Sequence, residues 1–119
     1  MTIHATDVAI VGGGMVGGAL ALGLAQQGFT VTVLEKTAPP AFDPASAPDV
    51  RISAISAASV GLLKSLGVWD AIRAMRVHAY RRLETWELDG LATRFAAEQL
   101  GVPELGFIVE NRLIQLALW

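Results

Sequence analysis

Cysteine is missing from this 119-residue chain, which excludes disulfides, thiolate nucleophiles and cysteine-based metal centres. That absence suits a reducing compartment. Charge is scarce as well: charged residues make up 17% of the chain and the net formal charge is −2. No field therefore favours nucleic acid or an anionic membrane. The two histidines, His4 and His78, share no metal-ligand spacing with each other or with carboxylates. No Ser/His/Asp arrangement is visible, and no acidic pair is placed for acid–base work. Catalytic power, if the chain has any, must come from a bound cofactor.

What the chain has instead is apolar bulk, 53% of its residues, and 12 glycines. At this length it forms one domain at most, with a real core. The run Val8 to Ala25 carries no charge and is about as long as a short membrane span. Gly13 and Gly17 also have the small-residue spacing of membrane helix pairs. Against that reading, Gly12-Gly13-Gly14 would break a helix near its start. The preceding MTIHATD has no Lys or Arg for a signal-peptide n-region. A soluble reading is preferred.

The same run carries the organising motif. In DVAIVGGGMVGGALALGLAQQGFTVTVLE, Asp7 to Val11 reads as a short strand buried on both faces. A helix follows from about Met15 to Gln27, apolar nearly all round and so expected to be sandwiched. Gly28 is placed to stop it as a left-handed C′ residue. Phe29 to Leu34 reads as a second strand, parallel to the first by the right-handed crossover rule. Gly12, Gly14 and Gly17 form G-x-G-x-x-G between strand and helix, with Glu35 at about the expected distance beyond. In that setting Gly12 permits the tight turn, Gly14 lets the backbone approach a pyrophosphate, and Gly17 lets helix and strand pack closely. The helix start, with Met15 and Val16, offers free N–H groups to phosphate. Glu35 would accept hydrogen bonds from ribose hydroxyls and disfavours a 2′-phosphate, so FAD or NAD fits better than NADP. Lys36 alone is too weak a hint to reverse that. The competing reading is a glycine-rich turn without a ligand, with Glu35 as a surface charge.

Beyond Glu35, Pro39, Pro40, Pro44 and Pro48 mark an extended loop over 37–49. A helix is expected from about Ser53 to Leu66, stopped by Gly67, and a short one capped by Asp70 through Met75 or Arg76. Leu83–Leu88 and Leu91–Phe95, joined at Asp89-Gly90, read as a hairpin. A loop around Pro103 leads to a short strand, Phe107–Val109, and a last helix from about Asn111. The units are thus a βαβ unit at 7–35, a helical and hairpin region at 52–95, and a final helix at 111–119. Two parallel strands and a hairpin do not complete a doubly wound sheet. The fold class is α/β, a Rossmann-like FAD/NAD(P)-binding domain with a parallel sheet, incomplete: the front of a longer protein.

Arg51 reads equally well as a surface pair or as a group reaching an anionic cofactor. Asn111 reads first as an N-cap. Arg73, Arg76, Arg81 and Arg82 form a loose basic cluster around Tyr80, either a solvated face or a binding patch. Trp69, Trp86 and Trp119 are better suited to core or interface than to ligand platforms.

Taken together, the opening stretch, PDVRISAISAASVGLLKSLGVWDAI, YRRLETWE and VENRLIQLAL resemble the ubiquinone-biosynthesis hydroxylases among the class A flavoprotein monooxygenases. RISAIS and ENRLIQLAL carry most of the family specificity. The resemblance implies an FAD-dependent hydroxylase that uses NAD(P)H and O2 to oxygenate a polyprenyl benzoquinol, without a metal. It implies that Gly12, Gly14 and Gly17 line the FAD pyrophosphate, with Met15 and Val16 at the helix start. Glu35 and Lys36 then lie at the adenosine end, and Arg51 approaches the flavin. Asn111 falls where relatives place a cofactor-contacting residue, with Arg112 as the neighbouring alternative. The family's later Gly-Asp motifs are absent from these residues, so no catalytic residue is assigned and the chain alone is expected to be inactive. The implied location is cytoplasmic, peripheral to the inner membrane or within a biosynthetic assembly. The other readings are an NAD-binding unit of a dehydrogenase and an inactive dinucleotide-binding fragment.

Overall fold

In this computed structural model the described residues are 3, 5–87 and 90–119. Strand β1 (Val8–Val11), helix α1 (Met15–Gln26) and strand β2 (Val31–Leu34) form the expected βαβ unit. The strands are parallel, with Val8 opposite Val31 and Val11 opposite Leu34. Gly28 adopts φ +93° just past α1, and its N–H donates to the Ala25 carbonyl at 3.0 Å, as a left-handed helix stop requires.

The next region departs from expectation. Ile52–Ser56 is a strand, β3, and only Ala57–Ser65 is helical, α2. Ile, Ser and Ala in this order carry no strong local preference. The strand exists because it pairs with β7 (Gly106–Glu110), which places Ser53 opposite Val109. Ser56 then caps α2 by accepting from the Ser59 N–H at 3.4 Å. Helix α3 spans Trp69–Met75, and its N-cap is Val68; Asp70, expected as the cap, lies inside the first turn. A further strand that the sequence reading missed, β4 (Val77–Tyr80), pairs antiparallel with the other edge of β7. The sheet order is therefore β3-β7-β4. The hairpin forms as β5 (Arg82–Glu87) and β6 (Leu91–Ala96), Leu83 opposite Phe95. Asp89 of its expected Asp89-Gly90 turn lies outside the described residues, as do Leu88, expected to end the first strand, and His4. A short α4 (Ala97–Leu100) precedes β7, and α5 (Asn111–Leu118) follows it directly.

The core sits where α2, α3, α5 and β7 meet, around Leu63, Trp69, Ile72, Val109, Leu113 and Ile114. Trp69 meets Phe107 edge-on, with centroids 5.0 Å apart. Helix α5 has a strongly apolar face and packs against both α1 and α3, which ties the βαβ unit to the core. The expected double-sided burial of the first strand is not seen: Ile10 is buried, but Val11 is 85% exposed. Nor is α1 sandwiched; only Gly18 is buried along it, and Val16 is 81% exposed. One helix cannot cover both faces of two strands, and no described element covers the outer side of α1. The radius of gyration, 17.7 Å, exceeds the roughly 13.5 Å of a compact chain this long. An open apolar groove of about 570 Å³ lies between α1 and α2, lined by Met15, Val16, Leu20, Leu62 and Ile114 among others.

Candidate functional site: a glycine loop and a charged clasp

The glycine loop starts where β1 runs out. Gly12 continues the pairing by donating to the Leu34 carbonyl at 2.8 Å, then turns with φ +104°, a backbone state that suits glycine. Gly14 is the N-cap of α1. It offers no side-chain cap, and α1 has no acidic residue in its first turn. The first N–H groups of α1 thus remain free for an anion. A Cβ built on Gly14 would meet nothing within 4 Å, whereas one on Gly17 would collide with the Gly12 carbonyl oxygen. Those two glycines do different work: Gly14 leaves space in front of the helix, and Gly17 closes the helix onto the turn behind it.

Gly13, between Gly12 and Gly14, is buried and fully engaged. Its N–H donates to Glu35 Oε2 at 2.7 Å. Its carbonyl accepts from Gln115 Nε2 and from Trp119 Nε1, each at 2.8 Å. Glu35 Oε1 also accepts from the Thr37 N–H at 3.1 Å. The Gly13 bond, and after it the Thr37 bond, hold the Glu35 carboxyl below its ordinary value of 4.5. An ionised carboxylate has about four acceptor sites. Two are used here, which leaves two for a vicinal diol. Lys36 is exposed and forms no ion pair among the described residues.

The second set of candidates brings together two residues 60 positions apart in sequence. Arg51 and Asn111 are neighbours, because the Asn111 N–H donates to the Arg51 carbonyl at 2.9 Å. Asn111 is not the N-cap expected for it; that position is Glu110. Instead its Oδ1 accepts from Ser53 Oγ at 2.6 Å. The Arg51 side chain is exposed, with no ion pair among the described residues. Helix α5 links the two sets: Asn111 starts it and Gln115 reaches Gly13, about 6 Å apart along the axis at 1.5 Å per residue.

Sequence reasoning missed Glu110, which is 4% exposed. Its Oε1 accepts from Arg76 Nη1 at 2.9 Å. Its Oε2 accepts from the Asp49 N–H at 2.9 Å and from Arg112 Nε at 3.0 Å. Burial pushes its carboxyl up, but the Asp49 and Arg112 bonds and the two arginine charges outweigh that and hold it below 4.5. Arg76 also donates to the Ser46 carbonyl at 2.9 Å and lies over the Phe42 ring, 5.4 Å from its centroid. Arg112 donates to Ser46 Oγ at 3.3 Å, so its guanidinium is committed to this clasp. Of the basic residues around Tyr80, Arg76 serves the clasp, Arg82 lies 4.0 Å from Glu98, and Arg73 borders a cavity with Lys64 and Glu104. The signal that was available is a carboxylate closing an otherwise apolar strand, GFIVE, immediately before a helix.

The parallel βαβ unit, a glycine turn under an uncapped helix start, and a carboxylate with spare acceptors define a dinucleotide-binding domain. Residues 5–108 match the FAD binding domain family, and the chain belongs to it. It is 65% identical over 119 residues to 3-demethoxyubiquinol 3-hydroxylase of Escherichia coli (strain K12), covering 100% of this chain and 30% of that protein. It is 34% identical over 117 residues to ubiquinone biosynthesis monooxygenase COQ6, mitochondrial, of Homo sapiens, covering 94% of this chain and 25% of that protein. Among solved structures it resembles CmlS, a flavin-dependent halogenase. The TM-score is 0.69 at 24% identity, over 98% of this chain and 20% of that one. That likeness bears on the fold alone. The chain spans about 30% or less of the length of these relatives.

Proposed function

We propose that this chain is the FAD-binding front of a flavin-dependent monooxygenase that hydroxylates a polyprenyl benzoquinol ring, with NAD(P)H and O2 as co-substrates. The observation that carries the dinucleotide assignment is the Glu35 carboxylate, anchored on the Gly13 N–H with acceptor sites to spare beside the uncapped start of α1. The substrate assignment rests on the relatives named above, one by its name a demethoxyubiquinol hydroxylase and the other a ubiquinone biosynthesis monooxygenase. A match to the FAD binding domain family favours this reading over the NAD-dependent dehydrogenase.

In this reading Gly12, Gly14 and Gly17, with Met15 and Val16, seat the pyrophosphate on the α1 N–H groups. Glu35 takes the adenosine ribose hydroxyls, with Lys36 beside it. Arg51 and Asn111 approach the flavin half. The bound FAD supplies the redox chemistry, two-electron reduction by NAD(P)H and delivery of one atom of O2 to the ring. The residues of this chain bind and orient; none of them is assigned a proton transfer. A lipid-tailed substrate suits a cytoplasmic protein at the periphery of the inner membrane, working within a biosynthetic assembly. No helix among the described residues is long and apolar enough to cross a membrane.

The test is to purify the complete polypeptide that carries this sequence, and separately the 119 residues alone. The complete polypeptide is expected to be yellow, with stoichiometric FAD, and to add one oxygen atom to a short-chain benzoquinol analogue, detected by mass spectrometry. The shorter chain is expected to add none. A colourless complete protein that takes up NAD in place of FAD would overturn the proposal.

A further inference from the structure

The clasp around Glu110 lies outside the glycine loop, yet it closes a ring of hydrogen bonds through the two flavin-side candidates. Glu110 Oε2 accepts from the Asp49 N–H at 2.9 Å. Asp49 Oδ1 accepts from the Arg51 N–H at 3.2 Å. The Arg51 carbonyl accepts from the Asn111 N–H at 2.9 Å, and Asn111 is joined to Glu110 by the peptide bond. The same carboxylate holds Arg76, which donates to the Ser46 carbonyl at 2.9 Å and the Pro44 carbonyl at 3.3 Å. The segment 37–51 has four prolines and no helix or strand of its own. Before Arg51 its conformation therefore depends on these side-chain bonds, while at Arg51 the Asn111 N–H bond extends the β3–β7 pairing by one step.

From this geometry we infer that Glu110 is a positioning residue for cofactor binding: it fixes the backbone of Arg51 and Asn111, and so aims the groups that meet the flavin half of FAD. The inference rests on the FAD reading above for its ligand, but not for its mechanical content. Glu110 itself, buried and saturated by Arg76, Arg112 and Asp49, touches no cofactor. Replacing it with glutamine keeps an acceptor and a similar volume while removing the charge that holds both arginines. The glycine loop shares none of these bonds, so the adenine half of the site is left as it is.

The complete polypeptide, stripped of flavin, is titrated calorimetrically with FAD and with ADP. ADP probes only the glycine loop and Glu35. Glu110→Gln is expected to weaken FAD binding about tenfold, the scale of one lost charge-assisted contact, and to leave ADP affinity within about twofold. Asp49→Ala, in the surface loop, removes the Arg51 link without disturbing the buried charge. It is expected to show the same FAD-only loss, which keeps the test open if Glu110→Gln folds poorly. Amide hydrogen exchange gives a readout that needs no ligand: protection at Asp49, Arg51 and Asn111 is expected to fall in Glu110→Gln. Unchanged FAD affinity, a parallel loss of FAD and ADP, or unchanged protection at those amides would each overturn the inference. If the unmodified protein binds neither ligand, the FAD reading fails, while the exchange result still decides whether Glu110 holds the ring.

Discussion

Residues 12–17 keep their shape through backbone groups and missing side chains, whereas residues 42–51 keep theirs through three charged side chains. In the loop, Gly17 has to lie against the Gly12 carbonyl, and the Gly13 peptide is held at both of its polar ends. In the clasp, one buried carboxylate gathers Arg76 from the end of α3, Arg112 from α5 and the Asp49 amide from the loop. The first device draws on a short run of sequence and one carboxylate 22 residues on, with Gln115 and Trp119 reaching back to the Gly13 carbonyl. The second joins positions 61 and 34 residues apart. The contrast teaches that a tight glycine loop is made by leaving atoms out, while a proline-rich segment is held by putting charge in.

Three perturbations separate the two devices, in falling order of effect. Glu110→Ala leaves two arginines facing a buried gap and should cost about 3 kcal/mol of stability, the low end for one partner lost from a buried ion pair. Urea denaturation of the complete polypeptide measures it. Gly17→Ala forces a methyl group onto the Gly12 carbonyl and should cost about 2 kcal/mol through overpacking. Unlike the clasp variant Glu110→Gln, it should lower FAD and ADP affinity together. Smallest is the response to acid. Glu110 and Glu35 are both held below 4.5 in the folded chain. Their contribution to stability is thus fully present above 4.5 and is lost as pH falls through the depressed folded values. Stability followed by denaturant titration should decline across that acid window, and the decline should be shallower in Glu110→Gln. An equal slope in both proteins would mean that Glu35 or another group outside the clasp carries the acid response.

How legible each device was in the sequence follows from the range of its causes. Gly12, Gly14, Gly17 and Glu35 were readable because their spacing is fixed by one strand, one turn and one helix. The start of α5 at Asn111 was readable from its apolar period. By contrast, Ser53–Ser56 was read as the beginning of a helix, since only the pairing of Ile52–Ser56 with β7 makes it a strand. Strand β4 was missed for the same reason, as its partner lies on the far side of the hairpin. Arg112 was weighed as a cofactor contact, and nothing local says that its charge is spent on Glu110 and Ser46. Burial of β1 and α1 was overestimated because apolar composition states what a surface prefers, not whether a neighbour is at hand to cover it.

The bond from the Trp119 indole to the Gly13 carbonyl has an optical consequence. Trp69 is sealed in the core and Trp86 stands open to water, while Trp119 is half-exposed against the turn. Gly13 bonds Glu35 through its N–H and that indole through its carbonyl, which joins the carboxylate to a chromophore across one residue. A ligand that draws on Glu35 is expected to alter the surroundings of the Trp119 indole, read as a change in tryptophan emission on titration.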